Sequence, residues 1–197
     1  MTRIVGGQAR GRRLTVPARG TRPTSDRVRE SCFSSLESRW REDGRTWSEV
    51  RVLDLFAGSG ALGLEAVSRG AQSAVLVDKS REAVRTITAN IDVVGATGVA
   101  VVNADAMRLG AIPARVAGFL PADLVFVAPP YEVPSGDVVD ALVRAFESGW
   151  IKRDATVVVE RDARSVVSPL PPECGEVQRR VIGDTALWYG RGAKEVV

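Results

Sequence analysis

The chain has 197 residues, 45% of them hydrophobic and 26% charged, which suits one domain with a full core. It contains no histidine and only two cysteines, Cys32 and Cys174, without metal-ligand spacing, so histidine-dependent triads and histidine-ligated metal sites are excluded and no metal is expected. No apolar run approaches the roughly 18 residues of a membrane helix, and the opening "MTRIVGGQARGRR" lacks a signal-peptide core; the expectation is a soluble, cytoplasmic monomer with no membrane partner.

Charge is unevenly distributed. Of the net +3, residues 1–30 carry +6, from eight arginines against Asp26 and Glu30, which leaves −3 for the remainder. A basic arm on a mildly acidic body is the footprint of a nucleic-acid partner or of a solvated terminus. The first twenty residues mix short apolar pairs with glycine and arginine and predict a hairpin or extended arm. "RPTSDRVRESCFSSLESRW" then predicts a helix, its start marked by Pro23, a Thr24 or Ser25 cap and Asp26 in the first turn, that carries Val28, Cys32, Phe33, Leu36 and Trp40 on one face. Arg27 and Arg39 fall on its opposite side.

From Val50 the pattern alternates. "VRVLDLF", "SAVLVD", "VAVVNAD", "ADLVFVA" and "ATVVVE" read as strands, separated by the helical stretches "ALGLEAVSRG", "SREAVRTITANIDVVG" and "GDVVDALVRAFESG". After the proline-rich "SPLPPECG", "EVQRRVIG" and "TALWYGR" form an antiparallel hairpin through Gly183-Asp184. Near-continuous valine and leucine strands with helices between them predict a mostly parallel α/β sheet covered on both faces.

"DLFAGSGALGLEA" holds Gly58-x-Gly60-x-x-Gly63 between a strand and a helix, with Asp78 at the end of the next strand, which meets the dinucleotide fingerprint literally. Asp54, however, stands at the strand end four residues before Gly58. A carboxylate repels a pyrophosphate but attracts a ligand that carries an ammonium and a sulfonium, so S-adenosylmethionine fits better than a nicotinamide dinucleotide. Asp78 is placed to accept from ribose hydroxyls and Asp105 from an adenine amino group, three acids at three successive strand ends sharing one crevice. In "ADLVFVAPPYEV", Pro130 and Pro129 impose extended geometry on the residues before them and carry no N–H, so the turn presents carbonyl acceptors. Tyr131 adds a flat face for a base, worth about 1–3 kcal/mol.

"DLFAGSG", "VLVDKS", "NAD" and "PPY" together resemble the motifs of amino-group methyltransferases. "RIVGGQARGRRL" followed by "RPTSDRVRESCFSSL" resembles the opening of the RsmD family, bacterial enzymes that methylate the N2 amine of a guanine in 16S ribosomal RNA. The resemblance spans nearly the whole chain, weakening after Glu160. It implies a Rossmann-like class I methyltransferase fold, with a doubly wound seven-stranded sheet, a C-terminal antiparallel hairpin and a short N-terminal extension. In domain terms, residues 1–197 form one unit, with an arm and helix over 1–45 and the core over 46–197. S-adenosyl-L-methionine is the implied cofactor and 16S rRNA, or the assembled small ribosomal subunit, the implied partner. Asp54, Phe56, Gly58, Gly60 and Leu62 are expected at its methionine and ribose end, Asp78 and Lys79 at the ribose, and Asp105 and Ala106 at the adenine. Thr24 is expected to close over the methionine part, and Arg10, Arg12, Arg13, Arg22 and Arg27 to meet RNA phosphates. The catalytic turn is Ala128, Pro129, Pro130 and Tyr131, and here the chain departs from the family, which has aspartate at position 128. Alanine cannot accept from the target amine, so slow methyl transfer is expected, down about 10²- to 10³-fold by analogy with losing one preorganised hydrogen bond. Two alternatives stand beside this reading: an RNA-binding module without turnover and, on the glycine spacing alone, a dinucleotide oxidoreductase.

Overall fold

The structure, a computed structural model, describes residues 2–18 and 24–192. Strands β1 (Thr2–Arg3) and β2 (Arg13–Leu14) pair antiparallel, and the loop between them turns on Gly7 and Gly11, both at positive φ, where a side chain would be strained. Helix α1 (Asp26–Glu42) is capped by Ser25, whose hydroxyl accepts from the Val28 N–H, with Asp26 in the first turn; Pro23 and Arg22 lie outside the described residues. Val28, Cys32, Phe33, Leu36 and Trp40 form its buried face, as their spacing requires.

Arg29 is the residue on α1 that this spacing does not account for. Its guanidinium is completely buried and donates to the carbonyls of Thr24 (3.0 Å) and Arg3 and to Asp26 Oδ1 (2.8 Å), which ties β1, the helix cap and Thr24 into one knot. Burial is the largest influence on its pKa and lowers it, opposed by the charges of Asp26 and Glu65.

Strands β3 (Arg51–Leu55), β4 (Ser73–Asp78), β5 (Val99–Asn103), β6 (Ala122–Val127) and β7 (Ile151–Asp162) run parallel. Helices α2 (Ala61–Ser68), α3 (Arg81–Val94) and α4 (Ser135–Glu147) return the chain between them. Strands β8 (Cys174–Ile182) and β9 (Thr185–Gly192) then form the antiparallel hairpin, giving the sheet order β5-β4-β3-β6-β7-β9-β8. Strand order reverses between β3 and β6, and in such sheets the crevice outside the strands' carboxyl ends at that reversal is where ligands bind.

Alternate side chains on these strands feed two cores. On one face Val52, Leu76, Leu124 and Phe126 meet α1, α2, α3 and the N-terminal hairpin; on the other, Leu53, Val75, Val125 and Val157 meet α4 and the segment around Leu109, Val116 and Leu120. β7 starts at Ile151, four residues before the apolar run that predicts it, because its register slips between Ala122 and Leu124 and the added residues pair through that irregularity. Among the described residues no helix is long and apolar enough to cross a membrane, and no cluster of three potential metal ligands occurs.

Candidate functional site

Asp54 is one of the most deeply buried acids in the sheet, at 1% exposure. Its Oδ2 accepts from the Gly63 N–H at 2.9 Å, and its Oδ1 is buried with no hydrogen-bond partner. Burial lifts its carboxyl from 3.8 to about 7, an effect only partly offset by the Gly63 bond and reinforced by the charge of Asp78. An unpaired buried acceptor that pays for its own ionisation is an uncompensated feature of the fold. A cationic donor placed against it would satisfy it.

The loop after Asp54 is shaped to let a ligand approach. Phe56 sits at φ +64°, a left-handed conformation that costs a bulky residue energy. Gly60 is also left-handed, and a Cβ there would come within 2.8 Å of Leu76; at Gly63 a Cβ would lie 3.3 Å from Asp54 Oδ2. These two glycines therefore let α2 sit against β4 and keep its Gly63 N–H on Asp54. Asp78 fastens the other side of the loop, accepting from the Gly58 N–H (2.9 Å) and the Ser80 N–H (2.8 Å) through different oxygens.

Thr24, Asp54, Phe56, Gly58, Leu62 and Ala128 line one slot, with Val16 of the N-terminal segment across its mouth. Asp78 and the exposed Lys79 stand at the tip of β4. Asp105, just past β5, caps the short helix Ala106–Arg108 by accepting from the Met107 N–H at 3.0 Å, while Ala106 is buried in the second core. A roomier cleft of about 680 Å³ lies at the opposite end of the sheet, against Pro121, Gly149 and Lys152, away from all of these groups.

The proline turn leaves β6 beside the slot. Ala128 donates its N–H to the Leu55 carbonyl at 3.4 Å, the Pro130 carbonyl accepts from the Val133 N–H at 3.1 Å, and the Tyr131 carbonyl accepts from Arg161 at 3.4 Å. Two of the turn's carbonyls are thus used to hold the turn itself, which leaves those of Ala128 and Pro129 as its candidates for a ligand. Arg161, at 5% exposure, also donates to the Val133 carbonyl and so clamps the turn from β7; its desolvation lowers its pKa. Its neighbour Glu160 accepts from the Thr24 hydroxyl at 2.5 Å and the Tyr131 hydroxyl at 3.4 Å. Neither residue belongs to a sequence motif; only the adjacency of β6 and β7 brings them here.

Arg12 donates to the Val93 carbonyl at 2.5 Å, in the last turn of α3, where a cation suits the helix dipole. That is the end of α3 remote from the crevice, about 21 Å from its Ser80 cap. Arg10 and Arg13 are exposed at the same end, and the chain then climbs α3 through the Thr15 N–H on Asn90 (2.9 Å) and the Ala18 N–H on Glu82 (2.8 Å). Arg22 lies outside the described residues. Arg27 does reach the crevice side, lining a cavity of about 180 Å³ with Tyr131, Glu160 and Asp184. Beyond it a groove of about 320 Å³ between α1 and β8 gathers Ser34, Ser38, Arg39 and Arg180, with Arg39 stacked 4.9 Å from the centre of the Tyr189 ring and Arg180 on Ser35 Oγ at 2.7 Å.

A glycine loop under a buried, unpaired aspartate, with a Pro-Pro-Tyr turn at the neighbouring strand end, is the arrangement of a Rossmann-like methyltransferase. Comparison with known proteins places the chain within that class. The family model described as conserved hypothetical protein 95 matches residues 2–191, and the chain belongs to this family, the RsmD family of methyltransferases. The ribosomal RNA small subunit methyltransferase D of Escherichia coli (strain K12) is 35% identical over 185 residues, 93% of this chain and 86% of that one. A solved structure from Escherichia coli described as a putative methyltransferase, yhhF, superposes with a TM-score of 0.75 at 34% identity, covering 98% of this chain and 99% of the other. At 14% identity the fold alone recurs in an RNA methyltransferase from Salinibacter ruber solved with S-adenosyl-L-homocysteine, with a TM-score of 0.62 over 89% of this chain and 97% of that one.

Proposed function

We propose that this chain methylates the exocyclic N2 amine of a guanine in 16S rRNA, using S-adenosylmethionine held in the slot under the glycine loop. The observation that carries the reading is Asp54: its Oδ1 is buried without a partner, so the slot calls for a cation. S-adenosylmethionine supplies, when bound there, an electrophilic methyl group on a positively charged sulfur, whose transfer to an amine leaves a neutral thioether and releases one proton. Asp54 would pair with the ammonium of its methionine part, while Thr24, Phe56 and Leu62 close the slot around it. Asp78 and Lys79 would meet the ribose, and Asp105 and Ala106 the adenine.

The chain's remaining task is positioning. An aromatic amine is a poor nucleophile because its lone pair is delocalised, and an acceptor for its hydrogens turns that pair toward the methyl. With alanine at 128 the turn retains the backbone carbonyls of Ala128 and Pro129, and that of Pro129 is the one assigned to the amine. Tyr131 supplies a stacking face for the extruded base, and Arg27 with the α1/β8 groove a path for the flanking phosphates.

The test is tritiated-methyl transfer to 16S rRNA and to small subunits lacking the modification, with mapping of the labelled nucleotide. Label is expected on a guanine N2, and Ala128→Asp is expected to raise kcat about 10²- to 10³-fold with cofactor affinity unchanged. Equal rates would overturn the role given to position 128, and no label with either protein would overturn the reaction. In that event the missing carboxylate at 128 favours an RNA-binding module without turnover.

A further inference from the structure

Glu160 is the acid that the cofactor slot does not use. It is 8% exposed at the carboxyl end of β7, and it stands at the seam between two cavities. It accepts from Thr24, which lines the slot, and from Tyr131, which shares with Glu160 and Arg27 the neighbouring cavity of about 180 Å³. The two bonds differ: the Thr24 contact is short, at 2.5 Å, whereas the Tyr131 contact at 3.4 Å is long enough to be exchanged. A carboxylate is an acceptor of two oxygens, and a group in this position meets whatever base lies on the Tyr131 ring with its edge toward the slot.

We propose that Glu160 reads the acceptor base, its carboxylate replacing the long Tyr131 contact with hydrogen bonds from the N1–H and N2–H edge of guanine. This rests on the guanine-N2 reading above and names the residue that makes the site choose guanine. The chemistry is selective. Guanine presents two adjacent donors on that edge, whereas adenine presents an acceptor at N1 that faces a carboxylate repulsively. Asp184, at the tip of the β8/β9 hairpin, closes the far wall. Glu160 also accounts for how a chain with alanine at 128 retains a carboxylate near the amine: it approaches from β7 instead of from the β6 turn.

The experiment uses the whole chain loaded with S-adenosylhomocysteine and reads nucleoside binding by saturation-transfer NMR, with guanosine, inosine and adenosine as probes. Wild type is expected to prefer guanosine and inosine, which both carry N1–H, over adenosine by about 10- to 100-fold. Glu160→Gln keeps one acceptor oxygen, for Thr24, and turns its N–H₂ toward Tyr131 and the base, and is expected to lose that preference with S-adenosylhomocysteine affinity unchanged. A wild type without preference, or a Glu160→Gln protein that keeps it, overturns the proposal. Methyl mapping on 16S rRNA separates this from the reaction itself: label on guanine together with preference retained by Glu160→Gln refutes Glu160 alone, whereas preference lost as expected but no label on RNA refutes the reaction alone. Should Glu160→Gln lose its fold, Glu160→Asp, which keeps the charge one methylene short, is expected to weaken guanosine while still disfavouring adenosine; binding both equally overturns the proposal.

Discussion

Replacing Asp54 by asparagine keeps the side chain's shape and its acceptor for the Gly63 N–H but deletes the charge, so it separates what this residue costs the fold from what it offers a ligand. Folding carries its carboxyl from 3.8 to about 7. A raised acid pKa stabilises the folded state only while the group is protonated; that contribution is present below the unfolded value and lost as pH rises through 7. At pH 8 the ionised Asp54 therefore costs the ligand-free protein about 4 kcal/mol, at 1.36 kcal/mol per pKa unit, and at pH 5 about 2 kcal/mol. Asparagine escapes this cost but leaves a buried N–H₂ without a partner, a penalty of about 1–3 kcal/mol that does not vary with pH. The net gain at pH 8 is thus small, while the change in gain between pH 5 and pH 8 is about 2–3 kcal/mol and free of that penalty. Denaturant unfolding of both ligand-free proteins across this range measures it directly, and calorimetry of the same samples should show S-adenosylmethionine binding lost in Asp54→Asn. A stability difference that stays constant from pH 5 to pH 8 would refute the argument, as would undiminished cofactor binding.

Arg161→Met should lower kcat roughly 10- to 100-fold through a loosened Pro-Pro-Tyr turn while S-adenosylhomocysteine affinity stays constant; because a buried cation is replaced by an apolar side chain of similar length, thermal stability should change little. An unchanged kcat would show that the turn holds its shape without the clamp. Arg39→Ala and Arg180→Ala should each reduce the slope of log affinity for RNA against log salt by about 0.7–1, whereas Arg12→Ala, which loses a helix-terminal contact, should leave that slope and cost about 0.5–1 kcal/mol of stability. Filter binding over a salt series with all three variants distinguishes the two roles, and a flattened slope in Arg12→Ala alone would return RNA contact to the N-terminal arm.

The strands, helices and glycine loop were legible because their signals are local: valine and leucine runs, a serine cap, and glycines where φ is positive. The acidic strand tips were legible for the same reason, since each aspartate lies within two residues of the end of its own strand. What sequence could not reveal depends on which strands become neighbours. Glu160 and Arg161 are separated from Tyr131 by about thirty residues, and only the pairing of β6 with β7 sets them around the turn. Arg29 looks like another exposed helical arginine until Arg3, Thr24 and Asp26 are seen to converge on it. Charge counting likewise grouped Arg12 with the other arginines of the arm, although its partner is a helix carbonyl eighty-one positions away.

Two buried acids, Asp54 and Glu160, flank the same mouth, and their surroundings divide the work between them. Asp54 has a backbone N–H on one oxygen and nothing on the other, so it is matched to a ligand that brings positive charge. Glu160 accepts from two hydroxyls, and the longer of these contacts, from Tyr131, can give way to the N–H donors of a base. Exchanging their roles would set a cation beside Tyr131 and a neutral amine against a carboxyl that is half protonated near pH 7, where it would donate as often as accept. Environment, more than residue type, therefore makes one acid a counter-ion and the other an acceptor, and it is why alanine at position 128 removes one hydrogen bond from the site without removing its polarity.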